Sequence, residues 1–109
     1  MRLRILSDDE IVALYGLPRF TQEERDEYFT LSDVEKATME RLHSSKSRLF
    51  FVLQLGYFKA RTMFYVFDLH EVPEDAVYVK EKYFPGLDDG DSGIAKGTRL
   101  KQQRLILAL

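Results

Sequence analysis

The side chains best suited to grip a phosphate fall in three groups. Lys36, Arg41, Ser44, Ser45, Lys46 and Arg48 form the first, Lys59 and Arg61 the second, and Lys96, Arg99, Lys101 and Arg104 the third. Ammonium and guanidinium groups supply charge to a polyanion, and small hydroxyls beside free N–H groups at a helix start supply hydrogen bonds. The same residues would equally serve as a solvated turn and a solvated helix face, and composition alone does not separate the two readings. Net charge is −2, which lends no support to nucleic-acid binding by itself. Its distribution is more telling: residues 1–30 and 63–91 are acidic, residues 31–62 are basic, and residues 92–109 hold four cations and no anion.

Other chemistry has no residues in the sequence to carry it. His43 and His70 are far apart and neither sits in a ligand motif, so no metal site is expected. The Asp-rich stretch 88–91 resembles a calcium loop only in passing, because counting from Asp89 puts Leu100 where a bidentate Glu is needed. There is no phosphate-binding glycine loop, dinucleotide fingerprint or nucleophile elbow. Most acidic residues stand in helix first turns, where capping accounts for them. We therefore expect no catalytic residue, no cofactor and no enzyme activity from these residues.

The elements that must position the cations are written plainly. Ser7 with Glu10, Thr21 with Glu24 and Ser32 with Glu35 each spell a capping box, in which hydroxyl and carboxylate satisfy each other's backbone N–H. Three short helices in series follow, the first stopped by Gly16 and Pro18. In the third, Val34, Ala37, Arg41 and Leu42 recur at helical spacing. Ser44, Ser45 and Ser47 can each cap the next helix. From Leu49 to Phe58 that helix is apolar almost all round, which predicts a central helix packed on several sides. Helix, short polar turn, then helix is the skeleton of a helix-turn-helix.

Residues 62–73 read as an aromatic-rich connection lying on the core. Pro73, Glu74 and Asp75 open a further helix that stops at Pro85-Gly86, residues 86–97 form a flexible Asp/Gly loop, and "TRLKQQRLILAL" returns to helical spacing. The expected fold is all-α: one domain spanning residues 1–109, a compact bundle of about six helices with a helix-turn-helix-like element around the central apolar helix. With 45% hydrophobic residues the chain can bury a modest core, and the absence of cysteine excludes disulfide and thiolate chemistry and fits a reducing cytoplasm. No run approaches the ~18 apolar residues of a membrane span. A soluble, cytoplasmic protein is expected, and the last helix runs to residue 109 with no stop signal, as in a piece of a longer chain.

The order of "ILSDDEIVALYGLP", "YFTLSDVEKATMERL", "SRLFFVLQLGYFK", "VPEDAVYVKEKY" and "GTRLKQQRLIL" resembles the N-terminal region of the Tn-three family of replicative transposases, over roughly residues 5 to 109. Arg48, Leu49, Phe51, Leu53, Gln54, Leu55, Tyr57 and Lys59 carry the likeness. Ser47 stands where that family usually has Asn, Phe50 where it has Gly, and "ARTMF" replaces a Pro-Gly turn. The resemblance implies a bacterial module that binds the terminal inverted repeats of a transposon in DNA transposition and recombination, joining the nucleoid when bound. Its partners would be double-stranded DNA and the remainder of the transposase, with any dimerisation through the full-length protein and no membrane contact. The magnesium-dependent DDE-type catalytic centre would lie in that remainder, outside these residues. The alternative is a protein-interaction or structural module with no DNA contact, using Phe64, Tyr65 and Phe67 as its anchor.

Overall fold

In the computed structural model, residues 16–87 and 93–109 are described. The Ser7–Glu10 capping box, the helix it predicts and the Asp-rich turn at 88–92 lie outside these residues. Five α-helices are present among them: α1 (Gln22–Tyr28), α2 (Asp33–Glu40), α3 (Ser45–Arg61), α4 (Pro73–Tyr83) and α5 (Lys96–Leu107), with a short 3-10 turn at Leu69–Glu71. The described residues are all-α, as expected.

The helix starts follow the capping chemistry. Thr21 N–H donates to Glu24 Oε1 at 2.9 Å, and Glu24 N–H donates to Thr21 Oγ1 at 3.2 Å. Ser32 and Glu35 repeat the pair at 2.8 and 3.2 Å. Of three candidate serines, Ser44 caps α3, its hydroxyl accepting from Ser47 N–H at 3.0 Å. Asp68 and Glu71 form a further capping box that sequence reading passed over, and it starts the 3-10 turn within the aromatic connection. The Asp-x-x-Glu signal was present but hidden by the aromatic run in front of it.

Helix α3 is the centre. Every residue from Leu49 to Tyr57 is buried, and each of the other four helices contacts it. No solvent face is left along its middle, so hydrophobic burial on all sides holds it in place. Phe29, the residue that ends α1, is wholly buried, and its ring meets the edge of Tyr57 at 5.9 Å. It lies so close to Gly56 that a Cβ there would overlap the ring. Tyr57 also receives Tyr65 and Phe67 edge-on at 6.0 and 5.4 Å. Phe50 stacks on Phe67 at 5.6 Å, so the aromatic connection covers its ring. Thr62 ends α3 in the left-handed region (φ 55°), its N–H bonded to Phe58 O at 2.7 Å. The helix thus runs through Lys59–Arg61 before it turns.

Helix α2 turns little of its length to the core. Val34 is 66% exposed and Ala37 is exposed too, while Met39 is the residue α2 buries. Helical spacing showed that Val34 and Ala37 share a face, but not that this face meets the core. The Asp/Gly loop is also shorter than its expected span, because α5 begins at Lys96.

Candidate nucleic-acid interface

The proposed phosphate-gripping residues do not form one patch. Lys46 and Lys59 stand near opposite ends of α3, about 20 Å apart along the axis at the rise of an α-helix. Lys59 is committed: its ammonium donates to Glu35 Oε1 at 2.7 Å and to Thr30 O at 3.3 Å, tying α3 to the start of α2. Burial acts to raise the Glu35 pKa, but the Lys59 hydrogen bond and the capping bonds with Ser32 outweigh it, so the carboxyl titrates below its ordinary 4.5. Arg61 is exposed at the end of the helix.

Arg48 is a tie within the fold. Its Nε donates to Leu42 O at 3.1 Å and a terminal nitrogen donates to Glu40 O at 2.9 Å. It therefore meets carbonyls at the C-terminus of α2, whose partial negative charge favours a cation. Beside it a cleft is lined by Lys36, Glu40, Ser45, Arg48 and Lys82, with Tyr83 and Phe84 at its back. Lys82 is a cation that sequence reading missed. It lies in the block with the largest acidic excess, where averaging over residues 63–91 concealed it. Its ammonium donates to Thr30 Oγ1 at 2.9 Å and lies 5.7 Å from the ring centres of Tyr78 and Tyr83. Ser44 and Arg41 are exposed in the α2–α3 turn, and Lys46 is half-buried.

Helix α5 separates its four cations. Lys96, Lys101 and Arg104 are exposed, whereas Arg99 turns inward, its Nε buried. Gln102 and Ile106 carry the buried face. Gln102 Nε2 donates to Ser47 O at 2.8 Å and Gln102 Oε1 accepts from Gln54 Nε2 at 2.5 Å, which seats α5 on the N-terminal half of α3. Neither glutamine stood out in the sequence as a fold determinant, since pairing across 48 positions leaves no local mark.

The helix-turn-helix element exists as α2, the turn and α3, yet the second helix is the core of the protein. Exposed cations stand on α2 (Lys36), α4 (Lys82) and α5 (Lys96, Lys101 and Arg104). Phe64, Tyr65 and Phe67, the anchor of the alternative reading, pack on α3: Tyr65 is buried and Phe64 stacks on Phe58 at 4.9 Å.

The most elaborate polar group has a structural task. Arg25 Nε donates to Asp75 Oδ1 at 2.7 Å, another Arg25 nitrogen to Glu74 Oε2 at 2.7 Å, and Tyr57 O–H to Asp75 Oδ2 at 2.6 Å. The Asp75 bond, working against burial, raises the Arg25 pKa. Burial first, then the Asp75 charge, pushes the Tyr57 phenol far above its ordinary 10. These bonds tie α1, α3 and α4 together. Among the described residues there is no cluster of three or more His, Asp or Glu side chains able to hold a metal, and no helix long and apolar enough to cross a membrane.

Residues 5–109 match the model of a family described as a domain of unknown function, DUF4158, and the chain belongs to that family. The domain is found in transposase-like proteins. No curated protein and no solved structure matches the chain.

Proposed function

We propose that this domain is a DNA-binding module of a replicative transposase, anchoring the protein at the terminal inverted repeats of its transposon. The observation that carries the reading is the solvent face of α5. It presents Lys96, Lys101 and Arg104 from a helix that contains no acidic residue. The resemblance to the N-terminal region of Tn-three family transposases, together with a family found in transposase-like proteins, supports the same reading. Lys36, Ser45 and Lys82 around the cleft beside Arg48 add phosphate contacts, while Lys59 and Arg48 act mainly to hold the fold. The chain itself performs no chemistry; strand transfer belongs to a magnesium-dependent centre elsewhere in the transposase. Net charge of −2 makes binding by this domain modest, with full affinity drawn from the rest of the protein.

The test is fluorescence anisotropy with the transposon-end duplex and a scrambled duplex across a salt series. Tighter binding to the true end, weakening steeply with salt, is the expected result. Equal affinity for both duplexes with a flat salt dependence would move DNA contact to other parts of the transposase.

A further inference from the structure

The cleft beside Arg48 is built from three helices and has two kinds of wall. Its cations are Lys36 from α2, Arg48 from α3 and Lys82 from α4, set against one carboxylate, Glu40. Lys36, Ser45 and Lys82 are exposed, so a ligand reaches them without rearrangement. Two of the cations are held in advance. The Lys82 ammonium donates to Thr30 Oγ1 and lies 5.7 Å from the Tyr78 and Tyr83 ring centres. Arg48 commits Nε and one terminal nitrogen to carbonyls at the end of α2. Its other terminal nitrogen makes no hydrogen bond among the described residues and is not buried out of reach. Donors fixed in this way lose little side-chain freedom on binding. The second wall is apolar, from Tyr83, Phe84, Pro85 and Leu87. The Tyr83 hydroxyl is used within the fold, donating to Phe29 O at 2.9 Å and accepting from Leu31 N–H at 3.0 Å, so only its ring is on offer. The space measures about 640 Å³, within the roughly 300–1,000 Å³ of small-molecule sites.

Charge and shape select the ligand together. Three cations against one carboxylate leave two positive charges in excess. A backbone phosphodiester carries a single negative charge. A phosphomonoester carries about −1.5 to −2 at pH 7 and offers three acceptor oxygens, a closer match. Duplex backbone would also leave the aromatic and proline wall uncovered, because paired bases face inward. We propose that the cleft binds one nucleotide by its terminal phosphate, with the phosphate on Lys36, Arg48 and Lys82 and the base against Phe84 and Pro85. Ser45, in the first turn of α3 on the same rim, adds a hydroxyl donor. Such a phosphomonoester has two sources, the phosphorylated end of a DNA strand and a free nucleotide. The strand end rests on the DNA-binding reading, whereas recognition of the nucleotide does not. With DNA bound, the solvent face of α5 follows phosphodiesters while the cleft holds an end.

Isotope-labelled protein titrated with inorganic phosphate, deoxyadenosine and deoxyadenosine 5′-monophosphate, observed by NMR at the backbone N–H of Lys36, Ser45 and Phe84, tests the cleft directly. The monophosphate is expected to move all three signals and to bind about fivefold or more tightly than phosphate, from stacking of the base. Phosphate binding as tightly as the nucleotide would overturn the base contact. Deoxyadenosine binding as tightly would overturn the phosphate contact, and silence with all three probes would overturn the site. Lys36→Gln, at an exposed position, should keep the backbone spectrum and weaken the nucleotide about threefold. Unchanged affinity there would remove Lys36 from the phosphate site. A transposon-end duplex with one unpaired 5′-nucleotide, with and without its 5′-phosphate, distinguishes the sources. Tighter binding of the phosphorylated duplex, lost in Lys36→Gln, assigns the cleft to a strand end. Equal binding of the two, with the nucleotide shifts intact, takes the strand end out and assigns it to a free nucleotide. Both duplexes bound while no probe moves the three signals would refute the cleft and leave DNA binding standing. Nucleotide shifts with neither duplex bound would refute DNA binding and keep the cleft.

Discussion

Asp75 shows how much one side chain can hold. Its two oxygens take Arg25 from α1 and Tyr57 from α3 while it sits in the first turn of α4, so three helices meet on one carboxylate. Removing it leaves a guanidinium and a phenol without partners in a largely buried place. Asp75→Ala should lower unfolding free energy by about 3 kcal/mol, the scale for breaking a buried pair. Glu74, which pairs with the same arginine but is 81% exposed, should change stability by about 0.5 kcal/mol or less on conversion to alanine. Urea unfolding of the two variants separates them, and equal losses would mean that burial is not what makes the Asp75 pair count. Glu35 makes a pH prediction. Its folded pKa is depressed, so its contribution is present above the ordinary 4.5 and is lost as pH falls through the folded value. Wild-type stability should therefore decline below about pH 4.5 more steeply than that of Glu35→Gln, compared by urea midpoints at pH 7 and in acid.

Elements here are joined by shape as well as charge. Phe29 reaches the backbone of α3 only because residue 56 has no Cβ, and this contact sets how closely α1 can approach the core. Gly56→Ala would gain helix propensity in isolation, by roughly 1 kcal/mol. In the fold it forces the Phe29 ring away, and overpacking of this kind costs roughly 1–3 kcal/mol. A net loss of stability is thus expected, together with changed NMR shifts for Phe29, Tyr57 and Phe20, whose rings touch. A gain of stability would show that α1 can shift freely. At the same scale, Arg48 binds the last carbonyls of α2 and fixes the turn that carries Ser44 and Ser45. Its loss would weaken DNA binding through the fold, so Arg48 is a poor probe of direct contact.

For the whole molecule the question is where opposite charges cancel and where they do not. Cancellation occurs at Lys59 with Glu35 and at Arg25 with Asp75 and Glu74. Among the described residues it does not occur along the solvent face of α5, whose sequence has no anion. Replacing Lys101 and Arg104 together with alanine should weaken binding to the transposon-end duplex and lower its salt slope by about two, at near one released counterion per phosphate contact. Because both residues are exposed, thermal stability should hardly change. An unchanged slope would take α5 out of the interface and direct attention to the cleft of Lys36 and Lys82.

What the sequence determined by itself was local. Capping boxes at Thr21 and Ser32, the Pro73 start and the apolar length of α3 each depend on residues within a turn or two, and each appears in the fold as read. Local rules also placed the cations on helices and turns. Tertiary structure decided their use, because use depends on what lies opposite. Lys59 met Glu35 across 24 positions, Arg48 met the carbonyls of α2, Arg99 buried its Nε, and Lys82 came up to the cleft from an acidic block. Val34 and Ala37 faced water for the same reason: periodicity names a face, and only packing chooses which face is buried. The Gln54–Gln102 pair lies furthest from sequence reading, since two neutral amides 48 positions apart become partners only when α5 lies across α3.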